Sequence, residues 1–376
     1  MLNLLSQSKL ISSLSVTDLS DPIQAPDHAI GLMVNTATHA LKNKWQCRVN
    51  TVRTSPVVPV ENNYDRLNYP TDGAARDARY TRYVSERFIL RTQTSSAIPD
   101  LLAGLNGESL PDQLMVLPGL VYRRDCIDRL HCAEPHQLDL WRLVDTQAQQ
   151  AMAFQDLEQM IAALMAALIP EHEWRMTPSP HPYTTEGVQI DALWHDEWVE
   201  VGECGLINPL ILEAAGLNHH SGLAMGLGLD RLLMLRKNIP DIRLLRSQDH
   251  RVLSQMYSLQ PYQEVSMMPS ITRDLSLVVS KEMDEEQIGD LIRSDYSQQS
   301  AIEALNVVEE TPYEALPAGA RKRLAIQPEQ KNVLLRLVIR DMEQTLTSEQ
   351  ANQIRNQVYQ LLHQGSVMEL AEDKSL

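Results

Sequence analysis

Two arginines that are far apart in the sequence stand where phosphate chemistry would need them. Arg123 comes directly before a polar loop, and Arg231 follows Leu223–Leu229, in which apolar residues alternate with Gly or Ala. This period of two predicts a β-strand with one bare face, against which a flat ligand can lie. The forked guanidinium group of arginine holds two phosphate oxygens at once. Each stretch alone is equally consistent with a buried strand beside a surface arginine, but together they favour a phosphate-binding site.

The loop after Arg123 is long for a hairpin. Tyr122–Asp125 ends one predicted strand, the polar segment Cys126–Pro135 follows, and His136–Trp141 begins the next strand. A loop of about ten residues exceeds most hairpin turns and is typical of loops that carry function. The alternative is a solvated surface hairpin. The Cys and His residues of the loop fit no common spacing for a zinc site.

The composition excludes some classes of partner. The chain has 376 residues, enough for two or three domains, with 43% hydrophobic and 22% charged residues and a net charge of −16. This charge predicts no general attraction to nucleic acid or to anionic membranes, so any RNA binding depends on local basic patches. The sequence contains no apolar run of about 18 residues, so it predicts no membrane span. The four cysteines lack disulfide-framework spacing, which is typical of a reducing compartment.

The predicted elements fall into two groups, and the fold class is α+β. In residues 1–250 the strands are joined by hairpin-length connections, which indicates an antiparallel sheet, and helix Ala151–Leu168 has an apolar face suited to the core. Periodicity fades over residues 251–267, where we place a linker. Residues 268–376 follow the order strand, helix, strand, strand, helix and a short last strand, which is the ferredoxin-like arrangement. Thr347–Gln350 predicts the cap of the second helix.

Several motifs, in this order and spacing, resemble the class II aminoacyl-tRNA synthetases and, among them, the phenylalanyl-tRNA synthetases. Arg123 and Arg231 match the arginines of the family's motifs 2 and 3. The motifs in the first group are YRRD at 122–125, HQLD at 136–139, EWVEVGECG at 197–205, GLGLDR at 226–231 and IPDIR at 239–243. Those in the second group are MPSITRDLSLVV at 268–279 and RDMEQTLTSEQ at 340–350.

The nearest form is the single-chain, mitochondrial-type enzyme, and the resemblance covers nearly the whole chain. It implies a class II catalytic domain over residues 1–250, a linker over 251–267 and a ferredoxin-like anticodon-binding domain over 268–376. It also implies a monomer. Because the match begins close to Met1 and the first residues are poor in Lys and Arg, we expect no transit peptide and a cytoplasmic protein of the bacterial type.

The resemblance implies a ligase that uses ATP and Mg²⁺ to form an aminoacyl adenylate and then charges tRNA. The substrate carboxylate attacks the α-phosphorus, so catalysis needs positioning and positive charge rather than a nucleophilic side chain. Arg123 would contact the α-phosphate, Arg231 the γ-phosphate, and Glu200 the Mg²⁺ or ATP. The implied ATP-binding residues are Arg123, Asp125, His131, Pro135, Glu200, Gly228 and Arg231.

The implied amino-acid site departs from the family's pattern. The family's His-Thr-Ser is Gln93-Thr94-Ser95 here, and a phenylalanine that embraces the substrate ring is replaced by His181, which adds a polar edge. The family glutamine, glutamate and adenine-stacking phenylalanine are Ile98, Asp139 and Pro135. The implied amino-acid-binding residues are Gln93, Ser95, Ile98, Gln137, Asp139, His181, Tyr183, Ala224 and Gly226.

The C-terminal group is acidic for an RNA-binding domain. Residues 261–376 hold 11 Lys and Arg against 19 Asp and Glu. The candidate tRNA contacts are one basic cluster in a predicted loop, which consists of Arg321, Lys322 and Arg323.

Three functional hypotheses remain open at this point. The first is a synthetase of protein biosynthesis that activates phenylalanine or a close analogue and charges tRNA. The second is a diverged paralogue that activates another amino acid or uses a non-tRNA acceptor, which the altered pocket and the acidic C-terminal group favour. The third is a regulatory module that binds an amino acid or tRNA without catalysis, against which the presence of both Arg123 and Arg231 argues.

Overall fold

The computed structural model describes residues 4–77, 80–105, 112–124, 127–265, 268–296, 301–342 and 344–368. The chain divides into two compact units. The first comprises Met1–Arg123 and Glu134–Gln263, and the second comprises Arg124–Ala133 and Glu264–Leu376. We describe each unit by itself.

The first unit is built on a large sheet with helices. Its strands are β1 (Arg48–Thr51), β2 (Val57–Pro59), β3 (Phe88–Leu90), β4 (Asp112–Leu120), β5 (His136–Asp145), β6 (Trp174–Pro178), β7 (Thr184–Trp194), β8 (Glu197–Ile207) and β9 (His220–Gly228). Its helices are α1 (Gln7–Leu14), α2 (Ala29–Trp45), α3 (Val60–Asn63), α4 (Ile98–Gly104), α5 (Phe154–Leu168), α6 (Pro209–Ala214), α7 (Leu229–Lys237) and α8 (His250–Leu253). The segment predicted as a linker, residues 251–267, contains the end of α8.

The order of the large sheet is β1-β4-β5-β9-β8-β7-β6. All of its pairs are antiparallel except β1 with β4, which is parallel. The predicted antiparallel sheet is therefore confirmed. Helix α5 buries its apolar side, including Leu157 and Ile161, as its pattern predicted.

The register of β9 explains its alternating small residues. Gly228, Gly226 and Ala224 lie opposite Gln137, Asp139 and Trp141 of β5. Residues opposite one another in a sheet share a face, so these side chains of β5 border one bare stripe. We call Gly222, Ala224, Gly226 and Gly228 the glycine stripe. On the other side of it, Glu203 of β8 lies opposite Gly226.

Glycine at two stripe positions is required by close approach. A Cβ on Gly222 would lie 2.1 Å from the carbonyl oxygen of Arg142. A Cβ on Gly226 would lie 2.8 Å from Gln137 Nε2 and 2.9 Å from Asp139 Oδ1. Separations this short are far inside van der Waals contact, so the strands and the flanking side chains leave no room for a methyl group.

The second unit follows the predicted order of strands and longer helices as far as the second long helix, with one additional short helix. Its elements are β10 (Ile271–Ser280), α9 (Glu285–Asp295), β11 (Ile302–Pro312), α10 (Ala318–Leu324), β12 (Gln330–Ile339) and α11 (Ser348–Leu362). The three strands pair antiparallel in the order β10-β12-β11. Thr347 caps α11 in a capping box with Gln350, as predicted. The predicted last strand has no counterpart up to residue 368, and residues 369–376 lie outside the described ones.

One prediction about this unit is wrong. Arg321, Lys322 and Arg323 lie in helix α10 and not in a loop. The guanidinium group of Arg321 is held by the fold, because Nε donates to Leu316 O and Nη2 donates to Glu314 O, each at 2.8 Å. Its Cζ also lies 4.7 Å from the centre of the Tyr313 ring. The apolar residues Ala320 and Leu324, which are four positions apart, pack against the same apolar cluster and favour a helix in this basic stretch.

Gly222→Ala should destabilise the first unit. The added methyl group meets the backbone of β5, so we expect the free energy of unfolding to fall by about 1–3 kcal/mol. All five tryptophans lie in this unit, so urea unfolding followed by tryptophan fluorescence measures it.

Gly104→Ala is the matched control. A Cβ there meets no atom within 4 Å, and alanine in a helix should raise the free energy of unfolding by up to about 1 kcal/mol. Equal midpoints for Gly222→Ala and the unchanged protein would show that β5 and β9 can separate at no cost.

Candidate active site

Arg123 and Arg231 are both held by backbone carbonyls next to the sheet. Arg123 follows β4, and its Nε donates a hydrogen bond to Thr92 O at 2.9 Å. Arg231 lies in the first turn of α7, directly after the glycine stripe, and its Nη1 donates to Glu200 O at 3.1 Å. Two permanent positive charges are therefore fixed by backbone contacts. Because they are already in place, the two guanidinium groups need little rearrangement when an anion binds.

Glu200 lies within electrostatic reach of both arginines. Its side chain is open to solvent at the surface of β8. Local desolvation, and next the negative charge of Glu203, raise the pKa of the Glu200 carboxyl, whereas Arg231 and Arg123 lower it. Both guanidinium groups therefore act on the same carboxylate, and that of Arg231 also contacts the backbone of Glu200.

A buried pair of side chains fixes the start of α7 against the start of β5. His136 is fully buried and Asp230 nearly so. His136 Nδ1 lies 3.0 Å from Asp230 Oδ1, and the backbone N–H of His136 donates to Asp230 Oδ2. The N–H of Leu19 donates to His136 Nε2 at 2.9 Å, so the proton of the neutral ring belongs on Nδ1.

The charge of Asp230 is stabilised by its partners. Burial favours the protonated acid, but His136, and then Arg246, outweigh this effect, so the pKa of the Asp230 carboxyl lies below its ordinary value. The residue next in the chain is Arg231. The His136–Asp230 pair therefore sets where this arginine emerges from the sheet. One indication of this pair is present in the sequence, because Asp230 is a single acid in an otherwise largely apolar run.

The predicted amino-acid-binding residues come together beside Gly226. Ser95 Oγ donates a hydrogen bond to Asp139 Oδ2, and Gln137 Nε2 donates to Asp139 Oδ1 at 3.1 Å. Gln93 is buried and accepts a hydrogen bond from the hydroxyl of Tyr69 at 3.1 Å. The result is a buried carboxylate with oriented partners, which suits a substrate ammonium group.

Asp139 is the titratable group of this cluster. Burial raises the pKa of its carboxyl to about 6, although hydrogen bonds from Ser95 and Thr94 and the charges of Arg123 and Arg91 oppose the rise. Asp139 is thus ionised at neutral pH and gains a proton in mild acid.

Aromatic rings lie next to the carboxylate, farther along the stripe. Tyr183 stacks on Trp141 with the ring centres 5.8 Å apart, and Tyr69 lies 6.2 Å from Tyr183. Ala224 and Ile98 are fully buried in the apolar cluster that contains these rings. His181 lies 6.2 Å from Tyr183. Neither Tyr69 nor Glu203 was singled out from the sequence, because their roles depend on which strands are neighbours.

Residues 34–256 match the model of a known family, the tRNA synthetases class II core domain (F). The chain belongs to the class II tRNA synthetases. Residues 266–370 match the ferredoxin-fold anticodon binding domain. Together the two matches confirm the α+β fold class and the resemblance that the motifs indicated.

Relatives of this synthetase include two organellar proteins. The chloroplastic/mitochondrial phenylalanine–tRNA ligase of Arabidopsis thaliana is 28% identical over 88% of this chain and 75% of the relative. The probable mitochondrial phenylalanine–tRNA ligase of Drosophila melanogaster is 28% identical over 81% of this chain and 75% of the relative. The alpha subunit of the ligase from Prochlorococcus marinus strain MIT 9313 is 35% identical over 51% of this chain. The chain spans 56% of the length of that alpha subunit.

The remaining predicted ATP contacts of the synthetase are Asp125, His131 and Pro135. Asp125 lies outside the described residues. His131 belongs to the second unit, where its Nδ1 lies 2.7 Å from the carboxylate of Asp128. Pro135 is half-buried and its carbonyl accepts a hydrogen bond from the N–H of Val121 at 2.9 Å.

The described residues fit an Mg²⁺ ion that arrives with ATP. Among them, no three His, Cys, Asp or Glu side chains come together as a metal site. Mg²⁺ ordinarily takes one or two carboxylates together with substrate phosphates, and Glu200 is the carboxylate that would serve here.

None of the helices in the described part of the chain combines the length and the apolar composition that a membrane span needs.

Asp230→Asn should loosen the contact between β5 and α7 in this synthetase. A buried hydrogen-bonded acid is replaced by a neutral amide, so we expect the free energy of unfolding at pH 7 to fall by about 1–3 kcal/mol. The KM for ATP should rise because Arg231 loses its fixed position. Urea unfolding and ATP-dependent kinetics measure the two effects.

The sign of the pH dependence follows from the lowered pKa of Asp230. Its stabilisation is present above the ordinary carboxyl pKa and disappears as the pH falls through the folded-state value. The variant and the unchanged protein should therefore converge in acid. Glu213→Gln, an exposed control on α6, should change stability by less than about 0.5 kcal/mol. A constant difference at every pH would contradict the assignment.

Proposed function

We propose that this synthetase activates an aromatic amino acid with ATP and transfers it to tRNA. The observation that carries the proposal is the linear order of groups along the glycine stripe. Arg231 and Glu200 lie at the Gly228 end, Asp139 lies beside Gly226, and the aromatic rings lie at Ala224. One aminoacyl adenylate needs these environments in this order: positive charge for its phosphate, a carboxylate for its ammonium group and aromatic rings for its side chain.

Arg123 and Arg231 would supply the electrostatic part of adenylate formation. The amino-acid carboxylate attacks the α-phosphorus of ATP, and pyrophosphate leaves. Negative charge increases on the phosphate oxygens during this step, and guanidinium groups fixed before the reaction stabilise it most. Mg²⁺ carried by ATP would neutralise the departing phosphates, with Glu200 as its protein ligand. The protein needs no nucleophile of its own, because the substrate provides one.

Asp139 would hold the ammonium group and so place the carboxylate. Its carboxyl is ionised above a pKa of about 6, and Ser95 and Gln137 keep it oriented. Fixing one end of the amino acid turns the attack on ATP into a reaction between two positioned groups, which is the largest effect that binding alone can provide.

The acceptor would be tRNA, bound in part by the second unit. The match to an anticodon-binding domain supports this partner, and the relatives are phenylalanine–tRNA ligases by name. Arg321 is occupied by contacts within its own unit. Lys322 and Arg323 are both exposed on α10, and Lys322 is the better candidate for a phosphate contact.

Arg123→Ala and Arg231→Ala should each abolish most of the activation step. Loss of one fixed donor to the developing charge lowers kcat/KM for ATP by about 100- to 1000-fold. Amino-acid-dependent exchange of labelled pyrophosphate into ATP measures the step without tRNA.

Arg251→Ala is the control for these variants. Its guanidinium group pairs with Asp249 and is 61% exposed, so exchange should stay within about twofold of the unchanged protein. Absence of exchange with any amino acid would overturn the proposal and leave a module that binds without catalysis.

The KM for the amino acid should rise as the pH falls below about 6. Protonation of Asp139 removes the charge that holds the ammonium group, so well below pH 6 the KM should rise by close to tenfold for each pH unit. Exchange kinetics between pH 5 and 8 measure the profile. Asp139→Asn should give a high KM that does not change over this range. A flat profile in the unchanged protein would contradict the role of Asp139.

A further inference from the structure

The side chain of the amino acid has one direction in which to lie. If phosphates meet Arg231 at the Gly228 end and the ammonium group meets Asp139, the side chain points along the stripe toward Ala224. The residues that surround this part of the stripe are Tyr69, Trp141, His181, Tyr183 and Glu203. Four of the five carry aromatic or heteroaromatic rings, which favour a planar apolar side chain.

A polar pair interrupts this aromatic lining. His181 Nε2 lies 2.8 Å from Glu203 Oε1, and the two side chains are 10% and 39% exposed. Glu203 lies opposite Gly226, on the same face as Asp139. Glu203 therefore lies on the face of the sheet that carries the stripe, and the nearly buried His181 lies against its carboxylate.

The negative charge of Glu203 acts on both tyrosines of this lining. Burial is the main cause of the raised pKa of Tyr69 and of Tyr183, and the negative charge of Glu203 adds to the rise in each. A carboxylate within reach of two aromatic rings is unusual for a site that only packs an apolar ring, because a phenyl group would cover it without providing a hydrogen bond.

Other polar atoms of the same lining form no hydrogen bond. Among the residues that the structure describes, these buried atoms are His181 Nδ1 and Nε2, Thr184 Oγ1 and Trp141 Nε1. The 2.8 Å contact of His181 Nε2 with Glu203 is therefore close but lacks the geometry of a hydrogen bond. Buried polar atoms are normally satisfied. Their presence beside Glu203 indicates that the occupant of this region brings polar atoms of its own.

We propose that Glu203, held by His181, is a specificity-determining residue that accepts a hydrogen bond from the side chain of the amino acid. The substrate class is an aromatic amino acid with a hydroxyl group on its ring, such as tyrosine or meta-tyrosine, in preference to phenylalanine. This inference rests on the proposed function and adds the identity of the side chain. Glu203 contacts the substrate, and His181 acts as a positioning residue through Glu203.

The expected discrimination follows from what each substrate leaves unpaired. A ring hydroxyl donates a hydrogen bond to Glu203, whereas a phenyl ring displaces water from the carboxylate and provides no hydrogen bond in its place. Sites built to hydrogen-bond a substrate hydroxyl reject the analogue without it far more strongly than apolar sites reject an added group. We therefore expect kcat/KM for the preferred hydroxylated substrate to exceed that for phenylalanine by at least about tenfold.

The test is pyrophosphate exchange with tyrosine, meta-tyrosine and phenylalanine, run on the full chain and on three variants. Glu203→Ala should lower kcat/KM for the preferred hydroxylated substrate by about 10- to 100-fold and change that for phenylalanine by less than about threefold. His181→Phe should likewise lower the ratio of kcat/KM for the hydroxylated substrate to kcat/KM for phenylalanine. Glu213→Ala, on the surface of α6, should leave the ratio unchanged.

Two results would overturn the inference. One is a preference of the unchanged protein for phenylalanine. The other is an equal loss for all three amino acids in Glu203→Ala, which would assign Glu203 to the ammonium group they share. If no amino acid supports exchange, the proposed function fails, and titration calorimetry with tyrosine, meta-tyrosine and phenylalanine decides the inference. Tighter binding of a hydroxylated amino acid that is lost in Glu203→Ala supports it, and equal binding overturns it.

Discussion

The buried pair of His136 and Asp230 is the interaction on which the arrangement of the site depends. It joins the first residue of β5 to the first turn of α7 without access to water. β5 carries Gln137 and Asp139, and α7 carries Arg231. The groups assigned to the amino acid and to ATP are therefore placed relative to each other by one hydrogen-bonded contact. A buried acid with satisfied partners is costly to rearrange, which keeps this geometry in place before any substrate binds.

The glycine stripe provides the second constraint, which is steric. Its bare face leaves space above the sheet, and the neighbouring strands leave none within the sheet, as the distances around Gly222 and Gly226 show. A ligand on this face has strand β5 on one side and β8 on the other. Asp139 and Glu203 lie on either side of Gly226. Parts of a ligand on the two sides of this glycine would therefore have different chemical surroundings.

Much of the fold was predictable from the sequence, because it rests on local patterns. The period-2 alternation before Arg231 indicated the strand and its bare face, and the order of elements after residue 268 indicated the ferredoxin-like domain. The pairs of His136 with Asp230 and of His181 with Glu203 were not predicted. Their members are 94 and 22 positions apart in the sequence. The pairing of β5 with β9 brings the first pair together, and the pairing of β7 with β8 brings the second pair together. The short helix α10 was missed because its basic residues masked its apolar side.

The glycine stripe and the pair of His181 and Glu203 differ in how easily their residues can be substituted, and this difference affects how such a protein diverges. A methyl group on Gly222 would meet the backbone of β5, so this position of the stripe is the least open to substitution. His181 lies in the connection between β6 and β7, and Glu203 projects from its strand with 39% of its side chain exposed. Drift at these two positions alters the lining without disturbing the sheet or the arginines. Substitutions at these two positions would therefore change the substrate preference, while the groups proposed for activation keep their places.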